Sequence, residues 1–203
     1  MNSNRRGQLR RAAPIMIMVA ALAAPMTVPR LAFAKPGDRH PAGDTLPGSK
    51  AARAASQEFI DDAAASNRAE IQTAQFVLQR TRNEALKHFA QKIVHDHSQA
   101  LSQLGQLAGD EGLELRPGVS SKAAEALDQL KQAHGSTLDS EFLHNQQQDH
   151  AEAVAKFRQA QNSTALLAGV RDYARKTLPV LQEHLRMAQQ LVATGAKGTH
   201  AAR

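Results

Sequence analysis

Four segments of about 25–30 residues place apolar side chains at every third or fourth position, and this constrains the chain more than anything else in it. That period is the mark of an amphipathic helix with one face turned to a core. The first segment runs from about Ser56 to Arg80, with Ser56 as a plausible N-cap. Its inward stripe is Ile60, Ala63, Asn67, Glu70/Ile71, Ala74 and Val77/Leu78. The second, from about Asn83 to Ala108, presents Leu86, Phe89/Ala90, Ile93, His97, Leu104 and Leu107, and stops at Gly109 and Gly112. The third, from about Ser136 to Ala160, presents Leu138, Phe142, Gln146, His150, Val154 and Phe157. The fourth, from about Thr164 to Ala193, presents Leu167, Val170, Ala174, Leu178, Leu181, His184 and Ala188. Abundant Ala, Leu and Gln, one Tyr and no Trp favour helix over strand. Pro179 falls inside the fourth pattern, where it removes a backbone donor and favours a kink.

Connection lengths narrow the topology. The first and second helices, and the third and fourth, are joined by a few residues, so each pair forms an antiparallel hairpin. About 25 residues separate the hairpins, and Ser121 to Ala133 within them reads as a shorter amphipathic helix. At about 1.5 Å of rise per helical residue, that connection can cross the whole bundle. The expectation is an all-α, ferritin-like four-helix bundle with one long, partly helical crossover between its second and third long helices.

Topology decides what the polar residues in the stripes can do. An apolar core excludes such groups unless they are paired, hydrogen-bonded or metal-bound. With the long crossover, Glu70, His97, His150 and His184 fall within about 9 Å of axial rise, one on each long helix. In a plain up-down bundle His184 would be stranded from the rest. One carboxylate and three imidazoles form a reasonable ligand set for one ion of zinc, iron, manganese or copper. Asn67, Asp96, Asp149 and Glu183 are placed to orient those ligands from behind. The competing reading is structural: the same residues satisfy one another, with Glu70 accepting from His97 or His184, and only specify the core.

Other chemistries find less support. The chain has no cysteine, which removes disulfides, thiolate nucleophiles and Cys-ligated metals. The residues three before His97, His150 and His184 are Val94, Gln147 and Leu181, so the Glu-x-x-His pairs of a di-iron carboxylate centre are missing. There is no Gly-rich phosphate loop, nucleophile elbow or His-Glu-x-x-His. His88, His95, His134 and His144 fall off the stripes or near helix ends and read as surface residues, and His40 and His200 lie in the flanking segments.

The first 34 residues read as an export signal. A basic stretch, Arg5 to Arg11, precedes an apolar run from Ala12 to about Val28, and Leu31-Ala32-Phe33-Ala34 offers a small-x-small cleavage site after Ala34. Pro14 and Pro25 interrupt the run, which is short for a membrane span. An uncleaved anchor is the competing reading, and the absence of cysteine excludes a lipoprotein. Asn4-Arg5-Arg6 resembles the start of a twin-arginine export motif, although Gln8 stands where an apolar residue is usual. The protein is expected in the periplasm or outside the cell, without stable membrane insertion after cleavage. Residues 35–55, rich in Pro and Gly, read as a flexible linker, residues 56–195 as the bundle, and 196–203 as a tail.

The signal also explains the charge. Residues 1–34 carry five Arg and no acid, while 35–203 carry 20 basic and 19 acidic residues, a net of +1. A nucleic-acid partner loses its main support. An envelope protein or a second copy of the chain is the expected kind of partner.

Several stretches resemble a known family. They are Phe59-Ile60 with Glu70-Ile71, then HFAQKIVHDHSQALSQL (88–104), EFLHNQQQDHAEAV (141–154) and TLPVLQEHL (177–185). Together they are similar to the bacterial exported family catalogued as domain of unknown function 4142, over about residues 56–193. The resemblance implies a ferritin-like bundle and supports the topology that unites the four residues. It supplies no reaction. The functional expectation is a metal-binding or stress-associated exported protein, the alternative a non-catalytic interaction bundle of the cell envelope.

Overall fold

A computed structural model describes residues 48–194. Five helices follow in order: α1 Lys50–Leu78, α2 Glu84–Asp110, α3 Ser121–Leu130, α4 Gly135–Ala160 and α5 Ala168–Ala193. Among the described residues the fold is all-α, as expected. The expected export signal, the expected linker up to residue 47 and the expected tail from Gly195 lie outside them.

Local chemistry sets the helix ends, and it moves several of the expected boundaries, the short helix for one ending at Leu130 rather than Ala133. α1 begins six residues before Ser56, because Ser49 is the N-cap and its hydroxyl accepts from the Ala52 N–H at 3.1 Å. The last six residues of the expected linker are therefore helical. Ser56 is buried inside α1, where its hydroxyl accepts the N–H of Leu167 at 2.9 Å, a donor just before α5 that would otherwise be orphaned. α2 is capped by Asn83, which accepts from Ala85 and Leu86. It passes through Gly109 and ends at Asp110, and Gly112, just past the Glu111 cap, has a φ of +60° that suits glycine. α5 starts at Ala168 rather than Thr164, because residues 161–167 form turns that carry Leu166 and Leu167 into the core. Pro179 lies within α5 without ending it.

The long helices bury the stripes expected of them. Two apolar clusters result, one at each end. One joins the start of α1, the end of α2, the end of α4 and the start of α5, with Phe59, Ile60, Leu104, Phe157 and Val170 at its centre. The other joins the end of α1, the start of α2, the start of α4 and the end of α5, through Val77, Leu86, Phe89, Phe142 and Ala188. α2 and α4 therefore both start at the same end, so the chain between them crosses the bundle.

That crossing is held along α1. The Arg53 guanidinium donates to Gly112 O at 2.7 Å, and Gln57 exchanges two hydrogen bonds with the Glu114 backbone at 2.8 and 2.9 Å. Arg116 pairs with Asp61 at 2.8 Å, and Arg68 donates to Gly118 O at 3.2 Å. The contacts climb α1 from residue 53 to residue 68, about 22 Å of helical rise. α3 then carries Leu130 into the second apolar cluster.

Phe89 is fully buried and packs on Phe142, with ring centroids 6.2 Å apart. Phe89→Ala is expected to cost about 3–5 kcal/mol in denaturant unfolding. Val192→Ser, at a side chain 45% exposed, should change stability by less than about 0.5 kcal/mol. Equal costs for the two would show that the second cluster does not hold this end of the bundle.

Candidate metal centre

Between the two apolar clusters lies a layer of buried polar side chains. α1 contributes Asn67 and Glu70, α2 His97, α4 Gln146 and His150, and α5 His184. Each sits one or two turns from an apolar neighbour on the same stripe, so the helical period that builds the core also delivers these groups to it.

The three imidazoles meet. His97 Nε2 lies 3.4 Å from His150 Nε2, and His150 Nε2 lies 3.2 Å from His184 Nδ1. One ligand nitrogen from each, all within 4.8 Å of one another, forms the candidate metal-holding group among the described residues. Glu70 is not a member of that group.

What stands behind each ring fixes where its proton sits. A neutral imidazole has one N–H and one lone pair. His150 Nδ1–H donates to the Gln146 carbonyl, one turn earlier in α4, at 3.0 Å. His184 Nε2–H donates to Asp96 Oδ2 at 2.8 Å. His97 Nδ1–H donates to Asn67 Oδ1 at 2.8 Å. Tyr173 is buried on α5 and its hydroxyl donates to Ala100 O at 3.3 Å. All three protons therefore point away from the shared centre, and three lone pairs point into it.

Protonation would relieve that clash only at a cost. Burial pushes His97 well below its ordinary pKa, with further lowering from the neighbouring His150 and His184. Burial pushes His150 down to about 4, and burial followed by the charge of His150 pushes His184 to about 4 despite the help of Asp96. A metal cation accepts the same lone pairs without needing a charged imidazole. Zinc–nitrogen bonds of about 2.0–2.1 Å place tetrahedral ligands about 3.3 Å apart, close to two of the separations seen.

Asp96 is held ionised. Its partial burial would raise its pKa, but hydrogen bonds from Lys92 and His184 outweigh this and lower it. Lys92 Nζ and His184 Nε2 reach the same oxygen, at 2.9 and 2.8 Å. A carboxylate behind an imidazole raises its basicity as a ligand and fixes its ring.

The remaining expected residues are placed differently. Glu70 accepts from Gln146 Nε2 at 2.5 Å, not from a histidine, and its burial pushes its carboxyl up to about 7. Asp149 lines a small cavity with Glu70 and reaches no imidazole. Glu183 does not support His184: it turns to solvent and pairs with Arg186 at 2.7 and 2.8 Å, because its position on α5 faces away from the bundle. Gln146 was legible as a buried stripe residue, but its double role, carbonyl to His150 and amide to Glu70, was not foreseen. The i, i+4 spacing of Lys92 and Asp96 could have pointed to their pairing. His88, His95, His134 and His144 are all exposed, as expected.

A pH dependence follows for chelator-treated protein. The unfolded chain binds protons at its histidines near pH 6.5, whereas His150 and His184 do so natively only near 4, and burial holds His97 well below its ordinary value too. Stability should fall as pH drops from about 6.5 toward 4, by at most ~3 kcal/mol for each of His150 and His184. Glu70, raised to about 7, works in the opposite direction, joined by Asp149, which is raised to about 6 by burial and by Glu70 but is exposed and solvent-screened. Three deeply buried histidines outweigh them. The urea midpoint should be lower at pH 4.5 than at pH 7, and an unchanged or higher midpoint would contradict the buried neutral trio.

Comparison with known proteins supplies a family and no reaction. Residues 43–191 match the family described as a domain of unknown function, DUF4142. No curated protein and no solved structure matches the chain. The match spans well over half of the sequence and includes all five helices apart from the last two residues of α5. The chain belongs to the domain-of-unknown-function family 4142.

Proposed function

We propose that this protein is an exported, ferritin-like helical bundle that holds one divalent transition-metal ion on His97, His150 and His184. The observation that carries the reading is the convergence of three buried imidazole lone pairs, each with its proton committed to a partner on the outer side. Three nitrogen donors suit zinc, copper or iron better than manganese, which favours oxygen ligands. The order of the helices, with one crossover along α1, supports the ferritin-like comparison. Export is supported by the basic, apolar and small-residue pattern of residues 1–34. Among the described residues no helix is long and apolar enough to cross a membrane.

The test is elemental analysis of untagged protein recovered from the periplasmic fraction, with melting curves before and after chelation. The expected result is close to one metal ion per chain and a melt that falls on chelation. Metal at about 100 times its dissociation constant stabilises by about 2.7 kcal/mol. His184→Leu should lose the metal yet melt at or above the metal-free wild type, since it removes a buried polar group from an apolar layer. Glu70→Gln should keep one ion per chain. Metal-free protein whose melt ignores both chelator and added zinc or copper would leave these residues with a purely core-specifying role. The mass of the recovered chain tests export separately, with Lys35 expected as its first residue.

A further inference from the structure

The polar layer contains a small cavity of about 30 Å³. Its walls include Asn67, Glu70, His97, Asp149, His150 and Thr177. A water needs about 10–15 Å³ of such space, so there is room for one or two. The cavity touches two of the three imidazoles and the Glu70 carboxylate, which has no place in the nitrogen trio.

A groove of about 300 Å³ lies where α1, α3 and α4 meet, and it shares Ala63, Ser66, Glu70, Asp149, Ala153 and Phe157 with the inner cavity. Small side chains at Ala63, Ser66 and Ala153 keep this seam open. Two ion pairs cross its surface, Lys156 with Asp62 at 2.5 Å and Lys122 with Glu152 at 3.5 Å. A larger groove of about 540 Å³ between α2 and α5 approaches from another side, but there it meets Asp96, which covers the N–H edge of His184. The cavity, with His97 and His150 in its wall, borders the α1–α4 seam.

Three protein ligands leave one vertex of a tetrahedral ion unfilled, the arrangement of sites that bind exogenous ligands rather than of closed structural sites. We propose that an ion held by His97, His150 and His184 keeps an open coordination position facing this cavity. That position takes a water molecule, or another ligand of one or two heavy atoms, which arrives through the α1–α4 seam beneath α3. Glu70 accepts a hydrogen bond from that ligand and does not bind the ion. This rests on the metal reading above. It adds that the centre is open, that its ligand is small, and that access runs along one seam.

The experiment uses the full chain loaded with Cu(II), with electron paramagnetic resonance spectra in ordinary and in ¹⁷O-enriched water. Nitrogen hyperfine structure reports imidazole ligation, and ¹⁷O broadening reports a coordinated water. Wild type is expected to show both. Ser66→Leu and Ala153→Leu, each filling the shared wall of cavity and groove, should keep one copper per chain and the imidazole pattern but lose the broadening. Ser66 is exposed, so its variant tests the seam even where Ala153→Leu fails to fold. Imidazole-bound copper without ¹⁷O broadening in wild type would overturn the open position while leaving the metal site standing. Broadening that persists undiminished in the folded variants would overturn the route. Failure to bind copper through imidazole would defeat the metal reading, and this inference with it.

Discussion

Three neutral imidazoles that turn their lone pairs on one another inside an apolar bundle set the terms for the rest of this structure. His150 Nε2 lies 3.4 Å from His97 Nε2 and 3.2 Å from His184 Nδ1, and none of these atoms carries the proton of its ring. Such contacts repel unless a cation sits among them. A proton is a poor solution because the site is buried, and the lowered pKa values of all three histidines express that cost. The outer partners then gain a purpose beyond satisfying buried donors. Asn67, the Gln146 carbonyl and Asp96 hold each ring in the tautomer that leaves its inner nitrogen free to bind metal.

The bundle around this layer is arranged to keep it fixed. Apolar clusters lie on both sides, one centred on Ile60 and Leu104, the other on Phe89 and Phe142. The crossover pinned to α1 by Arg53, Gln57 and Arg116 lets α2 and α4 start at the same end, which puts His97 and His150 at one depth. A short connection would have reversed the second hairpin and moved His184 toward the other end. The long crossover is thus a structural condition for the site, although none of its residues belongs to the layer.

The histidines and Glu70 differ in kind despite their shared depth. The histidines converge, whereas Glu70 is held by the Gln146 amide beside a cavity of about 30 Å³. That carboxylate borders the small cavity without joining the nitrogen donors. The small residues Ala63, Ser66 and Ala153 line both this cavity and the groove of the adjoining seam.

The sequence by itself determined the helices, their buried faces, the two hairpins and the presence of ionisable groups inside the stripes. These follow from periodicity and connection length, which are local properties of the chain. It also located Asn67 and Asp96 near the buried histidines, because each shares a helix with one of the polar stripe residues or borders it. It misplaced Glu183, since a neighbour in sequence on a helix is turned about 100° away, here toward Arg186 and solvent. It started α1 at Ser56 because that serine fits a cap, whereas Ser49 caps the helix and Ser56 serves a donor 111 residues away. Only the tertiary structure decided which nitrogen of each imidazole faces the centre, that Gln146 rather than a histidine takes Glu70, and that a cavity opens along the α1–α4 seam. Those outcomes depend on how far apart helices distant in sequence come to lie and how they are rotated, and no local pattern encodes either quantity.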